Sequence, residues 1–205
     1  MVRLASRKEG SRRPRNIVLI VTEGRTEQLY FDGLKQRGCN VLIRTTGTSD
    51  TDPVNLVKFC RQQILDNSLD LGAGDMAICV FDIDENTKQN LIRAESMAER
   101  NGISPAVSNP CFEQWLALHF VDVDHPLDRR EAHSLVRKHI HGYSKVANHN
   151  DVLTSLRGSA MQHADRLWSI NGPKKGTTVS ISNPCTSVHK VISGIEELKR
   201  RNTAR

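Results

Sequence analysis

The sequence predicts an α/β fold: a mostly parallel sheet flanked by helices, followed by a helical C-terminal extension. Three observations predict it. Over roughly the first half of the chain, short Val- and Ile-rich runs alternate with amphipathic stretches of helical period, which is how parallel strands joined by helical crossovers read. The runs IVLIV and MAICVF are continuously apolar, as strands covered on both faces are. Beyond SNPCFEQWLALHF the strand signal fades and helical periodicity remains.

In chain order, the first strand stops at Glu23-Gly24. A helix is expected over 26–37, with Thr26 as N-cap, Leu29, Tyr30 and Leu34 among its apolar residues, and Gly38 as terminator. CNVLIR supplies a second strand. Asp52 caps the next helix, Pro53 takes its first position, and Leu56, Val57, Cys60 and Ile64 form its apolar face. Gly72 and Gly74 close the connection to a third strand, MAICVFD, which a helix with Leu91, Ala94 and Ala98 on one face follows. ISPAVS reads as a fourth strand. Further helices are expected after Asp128, over 150–168, and from Pro184 to Arg200 with Val188, Val191, Ile192 and Ile195 inward. The chain therefore divides into a disordered basic arm over 1–15, an α/β core over 16–121, and a mostly helical region over 122–205 packed on that core.

Composition narrows the classes. The 205 residues, 38% of them hydrophobic, suffice for one domain with a proper core, and no apolar run approaches the roughly 20 residues of a membrane span. Five cysteines are scattered without a CxxC pair, the pattern of reduced, buried thiols in a cytoplasmic protein. The stretch MVRLASRKEGSRRPRN is strongly basic, and the IVLIV after it is too short for a signal-peptide core. The net charge of +6 is concentrated partly in this arm and in the terminal LKRRNTAR. Such tails suit a polyanionic partner and equally suit a merely solvated terminus.

The chemistry lies in carboxylates. In a parallel α/β sheet, residues just past the C-terminal strand ends gather along one rim, where such folds place ligands. Glu23 ends the first strand, and Asp82 and Asp84 end the third, within VFDIDEN. If the strands take the order 2-1-3, these acids converge. Crowded carboxylates either hold protons or recruit a cation, and an all-oxygen set favours Mg2+ or Mn2+ over zinc. The plainer alternative is that Asp84, Glu85 and Asn86 cap the helix they precede. TEGRTE adds Glu27, a base or a first-turn helix acid. His139, His141 and His149 lack the spacing of a metal site, and GPKKGTT lacks the form of a nucleotide P-loop. Tyr143 could stack on a base.

A glutamate after the first strand and a DxD after the third resemble the TOPRIM catalytic fold. More closely, IVTEGRTEQLYFDGLK, VFDIDEN, SNPCFEQWLALHF and SNPCTSVHKVI resemble the RloB family, from Asn16 to about Leu198. That family is associated with bacterial defence and abortive-infection loci, and is similar to TOPRIM nucleases found beside ATPases. The resemblance implies a Mg2+-dependent nuclease acting on DNA or RNA, with Glu23, Asp82 and Asp84 as metal ligands and Glu27 as a further ligand or base. It also implies nucleic acid and an ATPase as partners, and leaves assembly into an oligomer open. In SNPCFEQWLALHF, Asn109 is expected as a helix cap and Pro110 as its first residue, with Trp115, Leu116, His119 and Phe120 inward. Glu113 either turns to the rim or stays an exposed first-turn acid. A cation that neutralises the leaving oxyanion is expected at Lys145, ahead of Lys174 and Lys175.

Two other readings compete. VFDIDENT is similar to the haloacid-dehalogenase phosphatase motif, in which Asp82 would be the nucleophile and Asp84 the acid and base. Against it, the acid pair follows the third strand, and Asn86 stands where Thr or Val belongs. The other is a non-catalytic accessory subunit that docks on nucleic acid or an ATPase.

Overall fold

The computed structural model describes residues 15–35, 40–48, 52–173 and 177–203. The expected basic arm as far as residue 14, and Gly38, Cys39, Lys174 and Lys175, lie outside these residues.

Strands β1 (Asn16–Thr22), β2 (Val41–Gly47), β3 (Met76–Asp82) and β4 (Ile103–Asn109) run parallel in the order β2-β1-β3-β4. A two-residue strand, β5 (Cys185–Thr186), joins the β4 edge antiparallel. The crossovers are α1 (Arg25–Asp32), α2 (Pro53–Asp66) and α3 (Lys88–Arg100). Four helices follow β4: α4 (Phe112–Ala117), α5 (Arg129–His139), α6 (Asn150–Asn171) and α7 (Val188–Thr203).

Alternation along the buried strands divides the core into two layers. Val18 and Ile20 of β1 and Ile78 and Val80 of β3 face α1 and the C-terminal helices. Leu19 and Val21, with Cys79 and Phe81, face α2 and α3. The C-terminal helices are thus part of the main core, through Val136, Leu153, Ala164 and Ile192. Among the described residues no helix is long and apolar enough to cross a membrane, and the four described cysteines are buried and free.

Side-chain caps start α2, α3 and α5. Asp52 accepts the Asn55 amide at 3.0 Å to start α2, with Pro53 at its first position. Asp128 and Glu131 form a reciprocal capping box at α5. Other boundaries correct the sequence reading. The first helix starts after Gly24, and Thr26 is not its cap: its hydroxyl points inward and donates to the Lys145 carbonyl at 3.1 Å. The same helix ends at Asp32 because α6 abuts it. Asn150 Nδ2 takes the Leu29 carbonyl at 2.6 Å, and a Cβ on Gly33 would lie 2.4 Å from the Asn150 side chain.

Asn109 and Pro110 do not open the fourth helix. Asn109 ends β4 and donates to the Ile181 carbonyl, its bond to Pro110 is cis, and Cys111 precedes the helix. Nor does the last helix begin at Pro184. Cys185 and Thr186 pair with β4 first, and Ser187 continues the edge by bonding both the N–H and the carbonyl of Val107.

Candidate carboxylate site at the sheet rim

Because β1 and β3 are neighbours, their C-terminal ends lie side by side, with the Glu23 N–H reaching the Val80 carbonyl at 3.3 Å. Glu23 turns toward β3, and its Oε2 accepts the Asp82 amide at 3.4 Å. Asp82, at the last position of β3, is 7% exposed. Asp84 follows in the turn that leads to α3. Neither it nor Glu85 nor Asn86 caps that helix: Thr87 does, accepting the Asn90 amide.

An aromatic cluster sets the other half of the rim. The Tyr30 ring stands edge-on to Phe31, Phe112, Trp115 and His119, with centroids 5.5 to 5.9 Å apart, a preferred geometry for aromatic pairs. It clamps α1 to α4 and so fixes Glu27, one turn before Tyr30, and Glu113, beside Phe112. Trp115, Leu116 and His119 are buried as expected, and Phe120 is packed against the core. The Glu27 carboxylate curls back over Gly24, where a Cβ would lie 2.7 Å from its Oε2. That oxygen is buried and has no hydrogen-bond partner.

Glu113 is 2% exposed and is not a surface acid. Its Oε1 lies 3.2 Å from both Lys145 Nζ and His133 Nε2 and accepts the Tyr143 hydroxyl at 3.3 Å. Tyr143 is therefore turned into the core, between His133 and His149, instead of presenting a face to a base. His139 stacks on Phe120.

Charge at the rim is held by Arg129, the first residue of α5. Its guanidinium takes Asp84 in a two-pronged grip, Nη2 to Oδ1 at 2.7 Å and Nε to Oδ2 at 3.0 Å. It also reaches Asp82 Oδ2 and Glu85 Oε1, each at 3.2 Å. Asp82 and Asp84 thus share one side, as the DxD spacing predicts, and Arg129 bridges them.

Protonation follows from burial and neighbours. Burial, then the Glu27 and Glu23 carboxylates, push Asp82 well above the ordinary carboxylate range, against the pull of Arg129. Burial also raises Glu23, with the Asp82 N–H and Arg129 opposing. Glu27 is pushed up to about 7, by burial first and then by Glu113 and Glu23. Glu113 goes the other way: burial alone would raise it, but Lys145 and His133 hold it below its usual value.

This all-oxygen acid set suits a hard divalent ion, and Glu27 Oε2 is an orphaned acceptor of the kind such an ion takes up. Among the described residues, however, no three His, Cys, Asp or Glu side chains form a group that could hold a metal ion as they stand. The acids are arranged around a guanidinium instead. Glu23, Asp82 and Asp84 fit an ion only if Arg129 withdraws from the two aspartates.

Sequence reasoning missed Arg129 and His133. A usable signal was present: two arginines directly after the Asp128 cap sit at the positive end of the helix dipole, where cations are disfavoured unless they face anions.

Residues 18–195 match the RloB-like protein family. The chain belongs to the RloB-like family. Searches of curated proteins and of solved structures returned no match. In this RloB-like chain the matched span runs from β1 into α7. It therefore takes in the rim residues from both halves, Arg129, His133 and Lys145 included.

Proposed function

We propose that this RloB-like protein is a metal-dependent nuclease with a TOPRIM-like site, acting on nucleic acid in anti-phage defence. One observation carries the reading: a glutamate after the first strand and a DxD after the third meet on adjacent parallel strands, with Glu23 within reach of the Asp82 amide. In this reading Glu23, Asp82 and Asp84 hold Mg2+ or Mn2+. Such an ion, when bound, polarises a phosphoryl oxygen and makes water a better nucleophile.

The protein's own groups have separable parts. Glu27, at about 7, is divided between acid and base near neutral pH, as a general base should be. In this reading Lys145, half-exposed beside Glu113, neutralises the leaving oxyanion. Glu113 keeps Lys145 and His133 at the rim by remaining ionised, and the aromatic clamp excludes water behind it.

The Arg129 bridge favours a second reading, in which the acids form a structural ion-pair cluster in a non-catalytic accessory subunit. A cleavage assay with Mg2+ or Mn2+ on plasmid, tRNA and single-stranded substrates separates the two. The nuclease reading expects cleavage that is lost in Glu23→Ala and Asp82→Asn. Cleavage that persists in both variants, or none with any substrate or partner, contradicts it.

A further inference from the structure

Next to the acid rim, the exposed side of α5 forms a recess of about 280 Å3 lined by Arg129, Arg130, His133, Ser134 and Arg137. We propose that this recess binds the sugar-phosphate backbone of one nucleic-acid strand and feeds it to the rim.

Five observations carry this. The lining has three arginines and a histidine and no carboxylate. Two of these side chains are committed inward, Arg129 to Asp82 and Asp84 and His133 to Glu113. Arg130 and Arg137 are exposed, and neither has an ion-pair partner among the described residues. Positions 129, 133 and 137 recur every four residues along one helix face, about 6 Å apart per step, a spacing that suits successive phosphates of an extended strand. The recess and the rim share Arg129 and His133, so a strand lying in the recess arrives beside the carboxylates.

The ligand class follows from what the surface offers. Planar guanidinium forks match phosphate oxygens. The exposed large hydrophobic residues, among those described, are Leu42, Leu65, Ile92, Val146, Val152 and Ile170, all aliphatic, so no aromatic platform for base stacking accompanies the recess. Recognition here is of the backbone and independent of sequence, and it weakens steeply with salt. The inference deepens the nuclease reading by naming how substrate approaches, but binding itself needs no cleavage.

Fluorescence anisotropy with labelled single-stranded DNA and RNA, in EDTA so that nothing is cut, tests it from about 50 to 200 mM salt. Arg130→Ala/Arg137→Ala should weaken binding of both about tenfold and flatten the logarithmic salt slope by about 1.4, two single-strand phosphate contacts. Arg130→Lys/Arg137→Lys should recover most of the slope. A control of equal charge loss on the opposite face, Arg61→Ala/Arg93→Ala, should bind within about twofold of the native protein. Wild-type affinity and slope in the Arg130/Arg137 variant, or an equal loss in the control, overturns the proposal. Both arginines are exposed, so unchanged thermal midpoints are expected; charge reversal at Arg137→Glu alone should still weaken binding. If oligonucleotide binding falls as expected while no metal-dependent cleavage is found, the track stands and the nuclease reading fails. If Glu23-dependent cleavage is found with binding unchanged in the Arg130/Arg137 variant, the reverse holds.

Discussion

The Nη2 of Arg129 lies 2.7 Å from Asp84 and 3.2 Å from Asp82, so one guanidinium neutralises both members of the DxD pair. A protein that brings several acids to one rim must protonate some of them or supply positive charge there, and here the chain supplies charge from its own α5. Removing that charge should therefore have a cost that an added ion can offset.

Arg129→Ala should lower stability by about 2 kcal/mol at pH 8, less than the loss for a fully buried pair because Asp82 can take up a proton instead. The loss should shrink as the pH falls and the carboxyls protonate. Adding Mg2+ should raise the thermal midpoint of the variant more than that of the native protein, since a ligand that binds only the folded state stabilises it. Denaturation with and without Mg2+ checks both, and a variant as stable as the native protein without metal contradicts the arrangement.

Glu27 offers a test by pH. Its folded-state value of about 7 against an ordinary 4.5 means that the native state holds the proton more tightly than the unfolded chain does. Ionising it therefore destabilises the fold, a penalty absent below pH 4.5 and complete above pH 7. Glu27→Gln should gain up to about 3 kcal/mol over the native protein at pH 8, with the gain vanishing toward pH 4.5. Urea denaturation at the two pH values measures it, and a pH-independent difference would refute it.

His119 gives the opposite slope. Burial holds it at about 4 against an ordinary 6.5, with its Nδ1 on the Trp115 carbonyl and its Nε2 facing the Tyr30 hydroxyl. The unfolded chain takes up this proton first, so stability is lost as pH falls from 6.5 toward 4. His119→Gln should be less stable than the native protein at neutral pH, yet lose about 2 to 3 kcal/mol less across that window. Parallel stability-pH curves for the two proteins would contradict the burial argument.

How much of this was legible depended on the range of the interaction. β3 was read residue for residue, because a doubly covered strand is continuously apolar, and α2 and α5 announced themselves through Asp52-Pro53 and Asp128. Convergence of Glu23 with Asp82 followed from strand order alone. What could not be read was set by distant contacts. Thr26 looks like a cap until the Lys145 loop claims its hydroxyl, Tyr143 looks available until Glu113 takes its phenol, and Arg129 reaches acids 45 and 47 positions earlier. β5 is too short to carry any period of its own.

The most direct measurement is a crystal structure grown with Mn2+, read from its anomalous difference map. A peak is expected at the rim, bonded to carboxylate oxygens of Glu23, Asp82 and Asp84, with the Arg129 guanidinium withdrawn from both aspartates. A rim without a peak at saturating Mn2+, with Arg129 still bridging Asp82 and Asp84, would contradict it.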